Sequence, residues 1–228
     1  MAFASACTDK PSSQALEAFP SPDAARLADA IMADDPSRVK ALLKSGANVN
    51  ATGEGGRSLL EWSIFKQRPK AFAALLAASP DLTIADAQGD TALIVGAKDD
   101  DASYVNALLE KKADPNLINT KSGDSALMAA ALTGHLPQLH ALLQAGAKLD
   151  FAESNGDTAL IMAAQANHTQ AVLDLLVAGA DPLAKNKLGA TFQKYLNMTP
   201  PAMLNPEAQR EHEKIVRWLT LHNVAIES

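Results

Sequence analysis

The sequence predicts an all-α fold in which about six helix-turn-helix units stack side by side, and three observations carry that prediction. The pair Leu42-Leu43 returns as Leu75-Leu76, Leu108-Leu109, Leu142-Leu143 and Leu175-Leu176, at spacings of 33, 33, 34 and 33 residues. A fixed period of this size marks a repeat architecture. About fifteen residues ahead of the later pairs, a hydroxyl residue opens a short apolar run: Ser58-Leu59-Leu60, Thr91-Ala92-Leu93, Ser125-Ala126-Leu127 and Thr158-Ala159-Leu160. Finally, hydrophobic residues make up 47% of the chain but aromatics only 4%. Alanine and leucine dominate, a mixture that suits thin, closely packed helices better than a β-sandwich.

Each unit follows from local chemistry. Ser58, Thr91, Ser125 and Thr158 are placed to accept hydrogen bonds from the unpaired amides of the first helical turn, so they read as N-caps. Gly56, Gly89, Gly123, Gly156 and Gly189 lie two residues earlier, where a tight turn needs positive φ. Runs such as Ala126-Leu127-Met128-Ala129-Ala130-Ala131 keep small residues where helices meet. One helix pair cannot bury its apolar face alone, and stacking five or more gives a continuous core.

The end units differ from the rest. Ser21-Pro22-Asp23 starts the first helix with Pro at its favoured position, and a second helix from about Ser37 to Lys44 follows Asp34-Asp35-Pro36. Gly189-Ala190-Thr191-Phe192 opens a sixth unit, closed by a helix through Lys214-Ile215-Val216-Arg217-Trp218-Leu219. Leu219 comes 43 residues after Leu176, so about ten extra residues enter within Met198 to Glu207, where Pro200, Pro201 and Pro206 interrupt a helix. This loop caps the array or binds something. The expected organisation is a segment over residues 1–20 and a repeat domain over residues 21–228.

Behind the leucine pairs come Gly46-Ala47-Asn48, Ser79-Pro80-Asp81, Lys112-Ala113-Asp114, Gly146-Ala147-Lys148 and Gly179-Ala180-Asp181. Together with the period, these resemble the ankyrin repeat, whose signatures are T-P-L-H-x-A and L-L-x-x-G-A-D-x-N. The resemblance runs from about Pro22 to the C-terminus. It implies a solenoid with finger hairpins between units, and recognition of another protein through the concave face of fingers and first helices. Leu59, Ala92, Ala126 and Ala159 replace the motif proline. Glu61, Ile94, Met128 and Ile161 replace its histidine, removing a hydrogen-bonding group between repeats.

No catalytic apparatus is visible. The chain lacks a G-x-S-x-G elbow, a P-loop and a dinucleotide fingerprint, and an open solenoid offers no water-excluded pocket. The reading is a non-enzyme without cofactor, with an enzyme or a purely structural spacer as the opposing classes. His135 and His168 take the Gly-His position that serves the loop between helices, and no carboxylate recurs near them at ligand spacing, so no metal site is expected. His212 and His222 flank the last helix as exposed residues, while Trp62 and Trp218 read as packing residues. The net charge is −6 with no basic stripe, which disfavours nucleic acid. The run Asp99, Asp100, Asp101 reads as a solvated loop.

Aligning the units on their caps places a candidate partner-binding face. Repeat two offers Glu54, Arg57, Phe65 and Lys66, and repeat three offers Gln88, Asp90, Lys98 and Asp99. From repeat four come Lys121, Asp124, Leu132 and Thr133, and from repeat five Asn155, Asp157 and Gln165. Phe65 and Leu132 are apolar where a solvated residue belongs, and with Phe151 they form the candidate anchors.

Phe3-Ala4-Ser5-Ala6-Cys7 resembles the end of a bacterial lipoprotein signal, in which small residues precede the lipid-bearing cysteine. Residues Thr8 to Ser21 then read as a polar tether. That resemblance implies lipidation at Cys7, an outer-membrane anchor and a periplasmic location; the other reading is a cytoplasmic tail with an incidental thiol. No apolar run approaches the about 20 residues of a membrane-crossing helix. Small periplasmic ankyrin proteins act as immunity proteins against a secreted toxin or as companions of an enzyme such as a catalase, and the resemblance leaves both open for a chain expected to be monomeric when free.

Overall fold

A computed structural model of the protein describes residues 10–198, 203 and 205–227; Cys7 and, within the 198–207 interval, residues 199–202 and 204 lie outside them. Two compact bodies divide the chain, Met1–Ala92 and Leu93–Ser228.

In the N-terminal body, α1 (Ser13–Ala18) precedes two helix pairs, α2 (Pro22–Met32) with α3 (Pro36–Lys44) and α4 (Leu59–Phe65) with α5 (Pro69–Leu76). Proline sits at the start of α2, α3 and α5, where its missing N–H costs nothing. Asp35 caps α3 by accepting from the Ser37 and Arg38 amides, both at 3.0 Å. α2 buries Ala24, Ala25, Leu27, Ala28, Ala30 and Ile31, and the small residues among them let α3 and α4 approach. Polar links join one repeat to the next: Asp34 Oδ1 accepts from the Ala71 amide at 2.9 Å, and Asn50 Oδ1 from the Asp81 amide at 2.8 Å. α1 falls within the segment read as a tether. Ser12 caps it and donates to Asp29 of α2, and Phe19 beyond it is buried.

α6 (Ala92–Ala97) carries the chain into the C-terminal body, where α7 (Ala102–Glu110) completes its pair. Next come α8 (Ala126–Thr133) with α9 (Leu136–Gln144), α10 (Ala159–Gln165) with α11 (Thr169–Val177), and α12 (Phe192–Leu196) followed by α13 (Pro206–Leu221). α10 packs on α8, α11 and α12. Ala126 through Ala131 are all buried, as a helix enclosed on every side requires. Asn205, within the expected insertion, caps α13 from the Glu207 and Ala208 amides. The tail returns across α12: Gln193 donates to the Ala225 carbonyl at 2.9 Å and accepts from the Glu227 amide at 3.0 Å.

The expected finger hairpins do not form. Among the described residues there is no β-strand, only isolated antiparallel bridges at Thr52–Ser58, Ala85–Thr91, Ile118–Ser125 and Ala152–Thr158. In the fingers of repeats three to six, side chains take up backbone amides of the turn. Asp86 accepts from Gln88 and Asp90, Asn119 from Lys121 and Ser122, Glu153 from Asn155 and Asp157, and Asn186 from Leu188 and Ala190. Adjacent fingers are joined by backbone bonds, as from the Ser154 amide to the Ser122 carbonyl and from the Lys187 amide to the Asn155 carbonyl. Gly156 has φ +82°, and a Cβ there would meet the Lys187 amide at 3.1 Å, so both turn and spacing require glycine.

Ser58, Ser125 and Thr158 cap their helices as expected. Thr91 does not: its hydroxyl is buried without a hydrogen-bond partner. His212 also departs from expectation, being buried beside Asn197, and desolvation lowers its pKa from the ordinary histidine value.

Candidate protein-binding face

Within a repeat, the residue before the cap and the residue near the end of the first helix meet on one face. In repeat two these are Arg57 and Phe65. The guanidinium carbon lies 4.8 Å from the Phe65 ring centre, and Phe65 is 57% exposed. Lys66 Nζ sits 4.4 Å from the Trp62 ring and 4.9 Å from the Phe65 ring. Phe19 meets Trp62 edge-on at 5.7 Å, so aromatic rings and cations interleave along the N-terminal body. Each contact is of cation–π or T-shaped geometry, and cation–π attraction strengthens as water is removed. Neither Arg57 nor Lys66 forms an ion pair among the described residues.

Beside this cluster lies a recess of about 380 Å³. Trp62, Ala18 and Gly55 supply apolar surface with the buried Phe19 behind them, Arg57 a cation, and Gln14, Glu17, Glu54 and Gln88 polar groups. Of the candidate partner-binding residues, the structure brings Glu54, Arg57 and Gln88 together around one recess, with Phe65 and Lys66 stacked alongside. It adds Phe19, hidden in sequence because it lies in a polar stretch, and Trp62, which reads as core yet is only half-buried. A large aromatic next to Pro20 in an otherwise polar segment was the available signal. Asp90 is half-buried, and its amide donates to Asp86.

Behind the face stands Glu61, in the slot of the motif histidine. Its Oε2 accepts from the Ser58 amide at 3.0 Å, while Oε1 is buried without a partner. Burial pushes its pKa up to about 8, with the negative charges of Asp86 and Asp90 adding to the shift and the Ser58 amide and Arg57 opposing it.

The C-terminal body spends the corresponding residues internally. Asp157 accepts from Gln165 at 2.9 Å and from Asn186 at 2.7 Å, and Asn186 also donates to the Tyr195 hydroxyl. Asp124 accepts from Ser122, and Thr133 donates back to the Ala129 carbonyl. Asp99 Oδ1 accepts from the Asp101 amide, and its carbonyl from Gln138. Lys98, Lys121 and Asn155 are exposed, as is Leu132 at 46%. Phe151 is half-buried, with Lys148 Nζ 5.4 Å from its ring, in a shallow hollow over Gly146 to Phe151.

Among the described residues no cluster of side chains is arranged as a reaction centre. A polar recess near α13 of about 260 Å³ contains His168, Glu207 and Glu211, but the Thr169 hydroxyl already donates to Glu211 and Asn205 is engaged as a cap. Among the described residues no group of three or more His, Cys, Asp or Glu is placed to hold a metal ion.

Comparison with known proteins bears on the repeats. The family described as ankyrin repeats (3 copies) matches residues 27–119 and 95–186. Protein PhlB of Serratia liquefaciens is 36% identical over 95 residues, 42% of this chain and 42% of that protein. The curated relatives are matched over less than half of their own length. Among solved structures, the ankyrin repeat protein EF0377 superposes with a TM-score of 0.72 at 24% identity, covering 84% of this chain and 96% of that one. A chain from the Bd0816 predatory endopeptidase of Bdellovibrio bacteriovorus in complex with immunity protein Bd3460 gives 0.68 at 24% identity, covering 83% and 97%. Paired helices at a period of 33 to 34 residues, linked finger to finger and matched over more than half of the sequence, place the chain in the ankyrin-repeat family.

Proposed function

We propose that this ankyrin-repeat module binds another protein as an inhibitor or immunity-type partner, held at the periplasmic side of a bacterial membrane by lipid on Cys7. The observation that carries the binding reading is the cluster of exposed Phe65 with half-buried Trp62, Arg57 and Lys66, which couples aromatic area to cations without an ion pair among the described residues. Aromatic and arginine side chains are the usual anchors of protein interfaces. The same fold occurs in the complex of an endopeptidase with an immunity protein, a precedent for the inhibitory role. The small residues before Cys7 support the anchor.

The test is photo-crosslinking from position 66 of the full chain in its native host, followed by an activity assay of the captured protein with and without the chain. Reduced activity supports inhibition; unchanged or increased activity assigns a companion role instead. Mass spectrometry of native material reads the anchor directly, and an unmodified cysteine removes it.

A further inference from the structure

Resting on that reading, we infer that the cluster on repeat two recognises a carboxylate-bearing segment of the partner, with an apolar side chain next to the carboxylate. The apolar group enters the recess of about 380 Å³ against Trp62, which the buried Phe19 backs, and the carboxylate reaches Arg57 and Lys66. This volume is in the range that holds one large side chain with its backbone.

Charge complementarity selects the occupant. The chain as a whole carries −6, yet at this place two cations lie over aromatic rings with no carboxylate at ion-pair distance among the described residues. The repeat pattern makes the local sign more telling. Before the cap, repeats three, four and five carry Asp90, Asp124 and Asp157, and only here does that slot hold a cation, Arg57. Those aspartates have polar neighbours, as Asp157 has Gln165 and Asn186, whereas the Arg57 guanidinium stacks on an exposed ring and has no carboxylate at ion-pair distance among the described residues. An arriving carboxylate gains a charge-assisted hydrogen bond to a guanidinium already oriented by Phe65, and it does so beside a surface from which the apolar group has displaced water. Glu17 and Glu54 along the recess repel an entirely acidic segment, so the mixed composition follows from the lining.

Two blocked peptides test this on the full chain: Ser-Glu-Phe-Asp-Leu-Ser and its neutral analogue Ser-Gln-Phe-Asn-Leu-Ser. Binding is read from amide shifts of residues 54–68 and the Trp62 indole, with Trp218 as the internal reference. The acidic peptide shifts the Trp62 group and weakens with added salt; the neutral one binds about tenfold more weakly or worse. The double variant R57E/K66E, checked by its melting curve, loses the acidic peptide, and F65A, which keeps both cations, retains part of it. Equal affinity for both peptides, shifts confined to the C-terminal body, or acidic binding that survives R57E/K66E overturns the inference. Failure of the wider reading is seen separately, as the absence of any protein crosslinked from position 66 in the host.

Discussion

Before the helix cap, repeat two carries Arg57 and repeat five Asp157; near the end of the same helix they carry Phe65 and Gln165. Asp157 and Gln165 hydrogen-bond to each other, and Asp157 goes on to hold Asn186, which organises the finger of repeat six by accepting from Leu188 and Ala190. Arg57 and Phe65 stack instead and leave a ring 57% exposed. Identical backbone positions thus serve stability in one repeat and an open, adhesive surface in the other. A third slot follows suit: Ile161 in repeat five is apolar and buried, whereas Glu61 in repeat two is a buried carboxyl with one oxygen unpaired.

The largest test of that contrast is at Glu61. A carboxyl whose folded pKa exceeds its unfolded value holds its proton longer in the folded chain. The stability it contributes is therefore full below about pH 4.5 and is lost as pH rises toward about 8. Across that window the shift corresponds to at most about 5 kcal/mol. Glu61→Met copies repeat four, where Met128 Sδ accepts from the Ser125 amide at 3.2 Å. The variant is expected to flatten the fall in stability between pH 5 and 8, measured by denaturant titration at several pH values. An unchanged slope would place the proton elsewhere.

Asp157→Ala probes the other side of the comparison. Losing its bond to the buried Asn186 should destabilise the chain by about 1–3 kcal/mol, seen as a lower unfolding midpoint. A midpoint within error of the parent means that repeat five does not depend on this network.

Phe65→Ala should weaken partner binding by about 1–3 kcal/mol while leaving the melting curve in place. Titration calorimetry and thermal unfolding on the same sample separate the two roles, since a packing residue lowers both. Smallest is the stability effect of Arg57→Asp, which restores the residue of repeats three to five. With no ion pair to lose, the change should stay within about 0.5 kcal/mol. A larger loss would make the Arg57–Phe65 stack a structural element like Asp157–Gln165.

Much of this was legible in one dimension. The period of the leucine pairs announced the helix pairs, and Ser58, Ser125 and Thr158 announced their starts, because a cap bonds to an amide only three residues away. Gly156 announced its turn through a conformation that other residues adopt at a cost. The candidate face was half legible: Arg57, Phe65 and Lys66 fell together, but Asp157, Gln165 and Thr133 proved to be engaged within the fold. Thr91, in the same slot as working caps, has no partner, and the finger hairpins gave way to side-chain-held turns.

What the sequence by itself determined, then, was the repeat, its caps and its turns, all of which depend on neighbours within a few residues along the chain. Tertiary structure alone decided which polar groups are consumed and which stay available, because those partners lie far away: Asp157 finds Asn186 29 residues on, and Gln138 finds the Asp99 carbonyl 39 residues back. It also decided that Phe19, from a segment that reads as a tether, folds against Trp62 and so builds one wall of the recess. Local rules act through the geometry of a single turn of helix or loop, whereas burial and long-range pairing exist only once the repeats have stacked and water has left between them.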